Sequence, residues 1–126
     1  MTKYKKQGLL YTFRNARKGM RLSIKSERNL RIHLAAAVLA IFTGMYLDFS
    51  IVKFCIIFLT IGMVISTEMI NSSIEFALDA MYHNRYSKIV GMAKDIAAGA
   101  VMVVTIIALM VGVLLYVPPV ILLFSS

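Results

Sequence analysis

The chain has 126 residues, of which 60% are hydrophobic and only 16% are charged, and its mean hydropathy is +0.79. A soluble domain of this size has too little interior to bury so much apolar surface. The composition therefore excludes an ordinary water-soluble domain and predicts that membrane lipid covers part of the chain. The single cysteine, Cys55, cannot form an intrachain disulfide and is interpreted as an inert thiol in an apolar helix.

Basic residues are concentrated in the N-terminal quarter of the chain. The net charge is +8, and ten of the 14 Lys and Arg residues lie between Lys3 and Arg31. A basic tract can bind nucleic acid, but the adjoining apolar segments favour anionic lipid headgroups as the partner, and no nucleic acid is expected. The tract lacks the uninterrupted apolar core and the cleavage site of a signal peptide, so none is predicted.

The first predicted element is an amphipathic surface helix over residues 8–27. Its apolar residues recur at steps of three or four, and basic residues largely fill the other face. The apolar positions are Leu9, Leu10, Phe13, Ala16, Met20 and Ile24, and the basic positions are Arg14, Arg17, Lys18, Arg21 and Lys25. A helix of this kind lies in the membrane interface, where it buries its apolar face and presents cations to phosphates.

Three apolar helices are predicted after the surface helix, at about residues 32–47, 51–79 and 96–117. A bilayer core requires roughly 20 helical residues, so the first of the three needs a continuation from the preceding helix or a thin span. Pro118 and Pro119 interrupt the last apolar run and predict that its helix ends or bends near Tyr116. The predicted fold is an all-α integral membrane protein with three transmembrane helices, in a single domain over residues 1–126.

The basic residues also predict how the chain is oriented in the membrane. The N-terminal region is rich in them, and the loop before the last apolar helix carries Arg85, Lys88 and Lys94. Positively charged loops stay on the cytoplasmic side of a membrane. We therefore expect the N-terminus in the cytoplasm and the C-terminus outside.

Three carboxylates and one amide form a polar stripe on the second apolar helix. Glu68, Asn71, Glu75 and Asp79 fall within roughly one quarter of the helix circumference, at the cytoplasmic end. Ionised groups at this depth cost several kilocalories per mole unless they are paired, hydrated or bound to a cation. A bound divalent metal ion offsets this cost and also the mutual repulsion of the carboxylates.

Two more acids stand at the same cytoplasmic level, Glu27 before the first span and Asp95 before the third. Oxygen ligands from several helices suit Mg²⁺, which usually keeps some waters and binds nucleotide phosphates. Lys94 and the basic surface helix supply the positive charge that a polyphosphate requires. The sequence contains neither G-x-x-x-x-G-K-[ST] nor G-x-G-x-x-G, which excludes P-loop kinases and protein kinases but leaves phosphoryl transfer open.

Two explanations without catalysis also remain open for the acidic stripe. The carboxylates can pair with Lys or Arg residues of neighbouring helices, or they can line a path for protons or ions. Against a path, the stripe is confined to the cytoplasmic half, and the outer half of the same helix offers only Lys53 and Thr60. His33 is interpreted as an interfacial hydrogen-bonding residue, because no second His stands at a spacing that suits zinc.

Three blocks of the sequence resemble, in order and in separation, the signature of the small prokaryotic diacylglycerol kinase family. The blocks are residues 27–31, residues 68–75 followed by Asp79, and residues 93–101, and the resemblance extends from Arg14 to Tyr116. It implies an ATP-dependent, Mg²⁺-requiring lipid kinase of the bacterial plasma membrane. It also implies a homotrimer in which neighbouring subunits share each active site.

The resemblance further implies a role for each polar residue named above. Glu68 corresponds to the general base that accepts the proton of the lipid hydroxyl. Glu27 and Glu75 correspond to the acids that hold Mg²⁺ on the ATP phosphates. The expected nucleotide contacts are Lys94 and Asp95, and the expected supporting polar residues are Asn71 and Asp79.

The block at residues 27–31, followed by His33, resembles the Gram-positive branch of the family, which mostly phosphorylates undecaprenol. The enterobacterial members, which favour diacylglycerol, carry an acid where His33 stands. We therefore expect undecaprenol as the acceptor, with diacylglycerol as the alternative and a non-enzymatic ion-conducting or assembly protein as a more distant one. The loop at residues 81–91 differs from the enterobacterial pattern by about one residue in length, which leaves nucleotide contacts open at His83, Arg85 and Tyr86.

Overall fold

The structure is a computed structural model that describes residues 8–83, 85 and 87–126. Four α-helices form most of this part of the chain. They are α1 (Leu9–Ser26), α2 (Arg28–Tyr46), α3 (Ile51–Tyr82) and α4 (Lys88–Ser125). The last three are long and apolar enough to cross a membrane. The predicted all-helical class with three long apolar helices is confirmed. Lys3 and Tyr86 lie outside the described residues.

A single residue separates the first two helices. Glu27 has extended backbone angles (φ −113°, ψ 112°) and caps both the end of α1 and the start of α2. The guanidinium of Arg31 donates hydrogen bonds of 2.8 and 2.9 Å to the carbonyl oxygens of Ile24 and Lys25. The last carbonyl groups of a helix lack intrahelical partners, so Arg31 stabilises the junction at Glu27.

α2 and α3 pack against each other and are joined by a short turn. Asp48 in this turn has a positive φ of 56°, a conformation that Asp tolerates better than most residues. The Ser50 hydroxyl then accepts a hydrogen bond from the Lys53 amide and caps the start of α3. Gly44 lies against the turn, where an added Cβ would come within 3.1 Å of the Phe49 ring. Glycine therefore permits the close approach of α2 to this ring.

Aromatic side chains join the three long helices at the same end of the molecule. The Phe49 ring centroid lies 4.9 Å from that of Tyr116 and 6.2 Å from that of Phe54. The Tyr116 hydroxyl donates a hydrogen bond of 2.5 Å to the backbone carbonyl oxygen of Ala40. Because Tyr116 belongs to α4 and Ala40 to α2, this bond holds the first and last spans together.

We expect Tyr116→Phe to lower the free energy of unfolding by about 1 kcal/mol, because it removes this hydrogen bond and keeps the ring. Unfolding in detergent micelles, followed by circular dichroism, measures the change. Tyr46→Phe is the matched control, since Tyr46 is 77% exposed, and we expect it to have no effect. Equal stabilities of wild type and Tyr116→Phe would contradict the prediction.

Few of the described residues are buried within one chain, and along each apolar helix the buried residues without polar side chains lie seven residues apart. They are Leu30, Ala37 and Gly44 in α2, Ile57 and Val64 in α3, and Val90 and Ala97 in α4, while Glu68 and Ser72 continue the buried face of α3 at four-residue steps. This spacing is typical of helices that pack at small crossing angles. Most other large apolar residues of these helices are exposed, so lipid or other protein chains cover them.

The helices begin or end beyond the residues that hydropathy predicts. α2 begins at Arg28 rather than near residue 32, α3 ends at Tyr82 rather than at 79, and α4 begins at Lys88 rather than at 96. Hydropathy marks only the part of a helix that lies in lipid. It therefore assigns the charged end turns to loops, although their backbone is helical.

Of the end or bend predicted near Tyr116, the end is wrong, because the helix continues through Pro118 and Pro119 to Ser125. Each proline removes one backbone donor and crowds the preceding turn. Unwinding the chain in lipid would leave several backbone groups without partners, which costs more. The segment therefore stays helical.

Candidate active site

Glu68 is a buried acid in the middle of α3. Its exposed fraction is 3%, and it lies 17 residues after Ile51, where the helix begins. At 1.5 Å per residue this is about 26 Å along the helix axis, slightly less than the roughly 30 Å thickness of a bilayer core. A span that begins near Ile51 would therefore bring Glu68 close to the opposite boundary of that core.

Two other carboxylates and one imidazole lie near Glu68. Glu27 and Glu75 are close enough for their charges to act on it, and the Nε2 atom of His33 lies 3.9 Å from its Oε2 atom. In the described part of the chain, no Lys or Arg forms an ion pair with any of these three acids. Pairing with a basic helix residue therefore does not explain them within one chain.

Asn71 lies one helical turn from Glu68, on the same face of α3. Its Oδ1 atom and the Oε2 atom of Glu68 are buried and have no hydrogen-bond partner among the described residues. A buried polar atom without a partner costs roughly 1–3 kcal/mol, and such atoms call for an ion, a ligand or a water. With Glu75 one turn further on, they form the oxygen-rich face that the stripe predicts.

Asp79 and Lys94 pair with each other between α3 and α4. The Lys94 Nζ atom donates a hydrogen bond of 2.5 Å to the Asp79 Oδ1 atom, so static pairing does account for this acid. The two side chains are 36% and 39% exposed, and an ion pair this exposed contributes about 1 kcal/mol or less. A phosphate group can therefore replace Asp79 as the partner of Lys94 at little cost.

Asp95 is exposed in the first turns of α4. It follows Lys94 directly, so its side chain leaves α4 about 100° around the helix from the one that faces α3. One chain therefore holds an acidic cluster and a separate ion pair. The acidic cluster consists of the carboxylates of Glu27, Glu68 and Glu75 with the amide of Asn71, and the ion pair consists of Asp79 and Lys94.

The acidic cluster fits an Mg²⁺ ion that is bound together with phosphates. Among residues 8–83, 85 and 87–126, no three His, Cys, Asp or Glu side chains converge closely enough to hold a metal ion by themselves. Mg²⁺ in nucleotide sites commonly takes one or two protein carboxylates, and phosphate oxygens and waters complete its six ligands. Glu27 and Glu75, which form no ion pair with a Lys or Arg of the described residues, match that pattern.

An apolar cavity of about 150 Å³ lies between α2 and α3, with His33 in its wall. The other lining residues are Ala36, Ala37, Ala40, Thr60, Ile61, Val64 and Ile65. Val64 stands one turn before Glu68, so the cavity extends from the level of Glu68 towards the middle of the helix pair. The three alanines leave this space because their side chains are short.

The contact between His33 and Glu68 is not among the sequence predictions, which interpret His33 as an interfacial residue. His33 lies three residues after Leu30 and four before Ala37, and both of these are buried. Positions at this spacing share one face of a helix. The seven-residue apolar pattern of α2 is therefore the signal that could have placed His33 against α3.

The loop between α3 and α4 is described only in part. His83 ends α3 in the left-handed conformation, with φ 51°, and the Arg85 amide donates a hydrogen bond to the carbonyl oxygen of Tyr82. Tyr86 lies outside the described residues. Nucleotide contacts in this loop stay predictions.

Comparison with known proteins identifies the family. The family model described as prokaryotic diacylglycerol kinase matches residues 14–116, which is most of the chain. The chain belongs to this family. The undecaprenol kinase of Bacillus subtilis (strain 168) is 36% identical over 107 residues, which cover 85% of this chain and 86% of that protein.

Two diacylglycerol kinases are similar to the chain as well. That of Synechocystis is 33% identical over 111 residues, which cover 88% of this chain and 63% of that protein. That of Escherichia coli (strain K12) is 29% identical over 91 residues, which cover 72% of this chain and 74% of that protein. Membership of the prokaryotic diacylglycerol kinase family confirms the resemblance and, with three apolar helices, shows a multi-pass membrane protein.

Proposed function

We propose that this chain is a lipid kinase that transfers the γ-phosphate of ATP to the hydroxyl group of undecaprenol. The observation that carries the proposal is Glu68, an acid that is buried and has no Lys or Arg partner among the described residues. The chain that carries it belongs to a kinase family. Similarity to an undecaprenol kinase over most of the chain supports both the reaction and the acceptor.

Glu68 is the general base of the proposed reaction. Its carboxylate accepts the proton of the lipid hydroxyl while the hydroxyl oxygen bonds to the γ-phosphorus. The bond from this phosphorus to the β–γ bridging oxygen breaks, and ADP leaves with the electron pair. Burial of Glu68 keeps bulk water away from the reacting phosphate, which favours transfer to the lipid over hydrolysis.

Glu27 and Glu75 hold Mg²⁺ on the ATP phosphates in this proposal. The ion, when bound, neutralises phosphate charge that the carboxylates of the chain would otherwise repel. Asn71 supports the site, because its buried Oδ1 atom has no partner in the described residues and is free to accept a hydrogen bond from a bound water. The assignment is supported by both glutamates having no Lys or Arg partner in the part of the chain that the structure describes.

Lys94 and Asp95 contact the nucleotide, and Lys94 does so by exchanging Asp79 for a phosphate. Asp79 supports the site by holding Lys94 in place until ATP binds. Asp95 is exposed and leaves α4 in a different direction from Lys94, so in this proposal it serves the site of a neighbouring subunit in a homotrimer. The exposed apolar side chains of the three spans offer surface for such subunit contacts.

The protein lies in the bacterial plasma membrane, with its N-terminus and its ATP site in the cytoplasm and its C-terminus outside. The distribution of Lys and Arg residues supports this orientation. α1 lies on anionic lipid headgroups. Support comes from its exposed basic residues Arg17, Arg21 and Lys25, which line one shallow cavity with Met20 and Ile24.

Diacylglycerol is the second candidate acceptor, because two relatives of the chain are diacylglycerol kinases. The mechanism proposed for Glu68 is the same for either lipid, since both present a hydroxyl group at the membrane surface. Family membership favours both acceptors over the ion-conducting or assembly protein, which has no need of ATP.

Phosphate transfer to the two lipids, measured side by side in detergent micelles with ATP and Mg²⁺, tests the proposal. We expect kcat/KM for undecaprenol to exceed that for diacylglycerol by about tenfold or more, a barrier difference near 1.4 kcal/mol. A reaction with chelated Mg²⁺ is the control for metal dependence. The opposite preference would replace the acceptor, and no transfer to either lipid would refute the kinase.

A further inference from the structure

The proposed reaction leaves one contact without a role, that between the partly exposed His33 of α2 and the buried Glu68 of α3. The His33 Nε2 atom lies 3.9 Å from the Glu68 Oε2 atom, and hydrogen bonds of this type end near 3.2 Å. Catalytic hydrogen bonds are often this long in a free enzyme and shorten when substrate binds. A movement of about 1 Å closes the pair.

The Oε2 atom of Glu68 needs a hydrogen-bond donor that the neighbouring residues of α3 do not supply. It is buried and has no hydrogen-bond partner in the described residues. The Ser72 hydroxyl, one turn away, already donates to the backbone carbonyl of Glu68. The neighbouring charges of Glu27 and Glu75 are negative. Among the described residues, His33 is the basic side chain within 4 Å of this carboxylate.

The position of His33 leaves it free for this partner. It lines the cavity between α2 and α3, where the only other polar side chain in the wall is that of Thr60. The Thr60 hydroxyl donates to the carbonyl oxygen of Ile56, and among the described residues its oxygen makes no hydrogen bond with the His33 ring. Thr60 stands eight residues before Glu68, about 12 Å along the helix axis, whereas the His33 Nε2 atom lies 3.9 Å from the Glu68 carboxylate.

We propose that His33 is a positioning residue that orients the Glu68 carboxylate for proton transfer. Its Nε2–H group donates to Oε2, which fixes the rotation of the carboxylate and turns the other oxygen to the lipid hydroxyl. The neutral imidazole tautomer that carries a proton on Nε2 is sufficient, so the role does not depend on a charged His33. The inference rests on the proposed function, because it takes Glu68 as the base.

Two substitutions of His33 and one control test the role. His33→Leu should lower kcat by about ten- to a hundredfold, the usual effect of losing an outer partner of a functional side chain. The KM for ATP should change by less than about twofold, because the nucleotide contacts remain. His33→Gln places an amide donor near the former Nε2 atom and should keep kcat within about fivefold of wild type. Thr60→Val, in the same cavity, should leave kcat unchanged.

The same variants in a Glu68→Gln background separate this role from a merely structural one. If His33 acts through Glu68, His33→Leu causes no further loss of the residual rate. Wild-type kcat in His33→Leu, or an equal loss in folded Leu and Gln variants, would overturn the inference. If the wild-type protein phosphorylates no lipid, the proposed function fails instead, so the two failures are distinguishable.

Nuclear magnetic resonance of labelled histidine tests the contact without replacing His33. The chain has two histidines, and His83→Gln assigns the ring signals. We expect Glu68→Gln to shift the ring nitrogen signals of His33, while Thr60→Val leaves them in place. Unchanged His33 signals in Glu68→Gln would show that the two side chains do not interact, and would overturn the inference even if His33→Leu fails to fold.

Discussion

Glu68→Gln should lower kcat for lipid phosphorylation by about 10²–10⁴-fold, the range expected for the loss of a general base. The amide has nearly the size and shape of the carboxylate but cannot accept the proton of the lipid hydroxyl. The KM for ATP should change little, because Glu27, Glu75 and Lys94 remain in place. Transfer of labelled phosphate from ATP to undecaprenol at saturating substrate concentrations measures the effect.

The stability of the same variant separates lost chemistry from lost structure. A neutral amide costs less to bury beside Glu27 and Glu75 than a third carboxylate does, so Glu68→Gln should unfold at the wild-type temperature or above it. Thr67→Val is the control in the adjacent position, since the Thr67 hydroxyl donates to the carbonyl of Met63 and has no proposed role. A folded Glu68→Gln protein with wild-type kcat would remove Glu68 from the role of base.

Glu75→Gln should raise the Mg²⁺ concentration needed for half-maximal activity by about ten- to a hundredfold, which corresponds to 1.4–2.8 kcal/mol of lost binding. The physical reason is that Mg²⁺ loses one of its two proposed carboxylate ligands. Glu27→Gln should act in the same direction. A titration of activity with Mg²⁺ at fixed ATP measures the shift, and excess Mg²⁺ should restore much of the rate in both variants.

Asp48→Asn is the matched control for the metal prediction. It also replaces a carboxylate by an amide, but in the turn between α2 and α3 at the other end of these helices, and Asn tolerates the positive φ of that position. Its Mg²⁺ dependence should equal that of wild type. A Glu75→Gln protein with the wild-type Mg²⁺ dependence would exclude Glu75 as a ligand. Excess Mg²⁺ should not restore the rate of Glu68→Gln, because Glu68 is assigned to the proton and not to the metal.

The order and number of the helices could be predicted because hydropathy and helical periodicity act within short stretches of sequence. The ends of the helices could not be predicted in this way. The turn at Lys88 that begins α4 is charged, so its low hydropathy is the same as that of a loop. The end of α4 predicted from Pro118 and Pro119 is wrong for a related reason. Their effect on a helix in water is strong, but in lipid the cost of unwinding opposes it.

The acidic stripe of α3 could be predicted in the same way, because spacing along one helix decides which side chains share a face. The pairing of Asp79 with Lys94, and the approach of His33 to Glu68, depend on how two helices pack, which spacing within one helix does not determine. The exposed position of Asp95 shows a further limit. If Asp95 completes the site of another subunit, as proposed, the packing of its own chain cannot reveal its partner.

The junction between α1 and α2 would give the proposed kinase a dependence on the membrane that its chemistry alone does not require. Glu27 is the one residue between the two helices, and Arg31 fixes the end of α1 to the start of α2. If α1 lies on lipid headgroups and Glu27 holds Mg²⁺, as proposed, lipids that change the depth or tilt of α1 would displace this carboxylate. The rate of phosphorylation would then depend on the composition of the bilayer whose lipid the enzyme modifies.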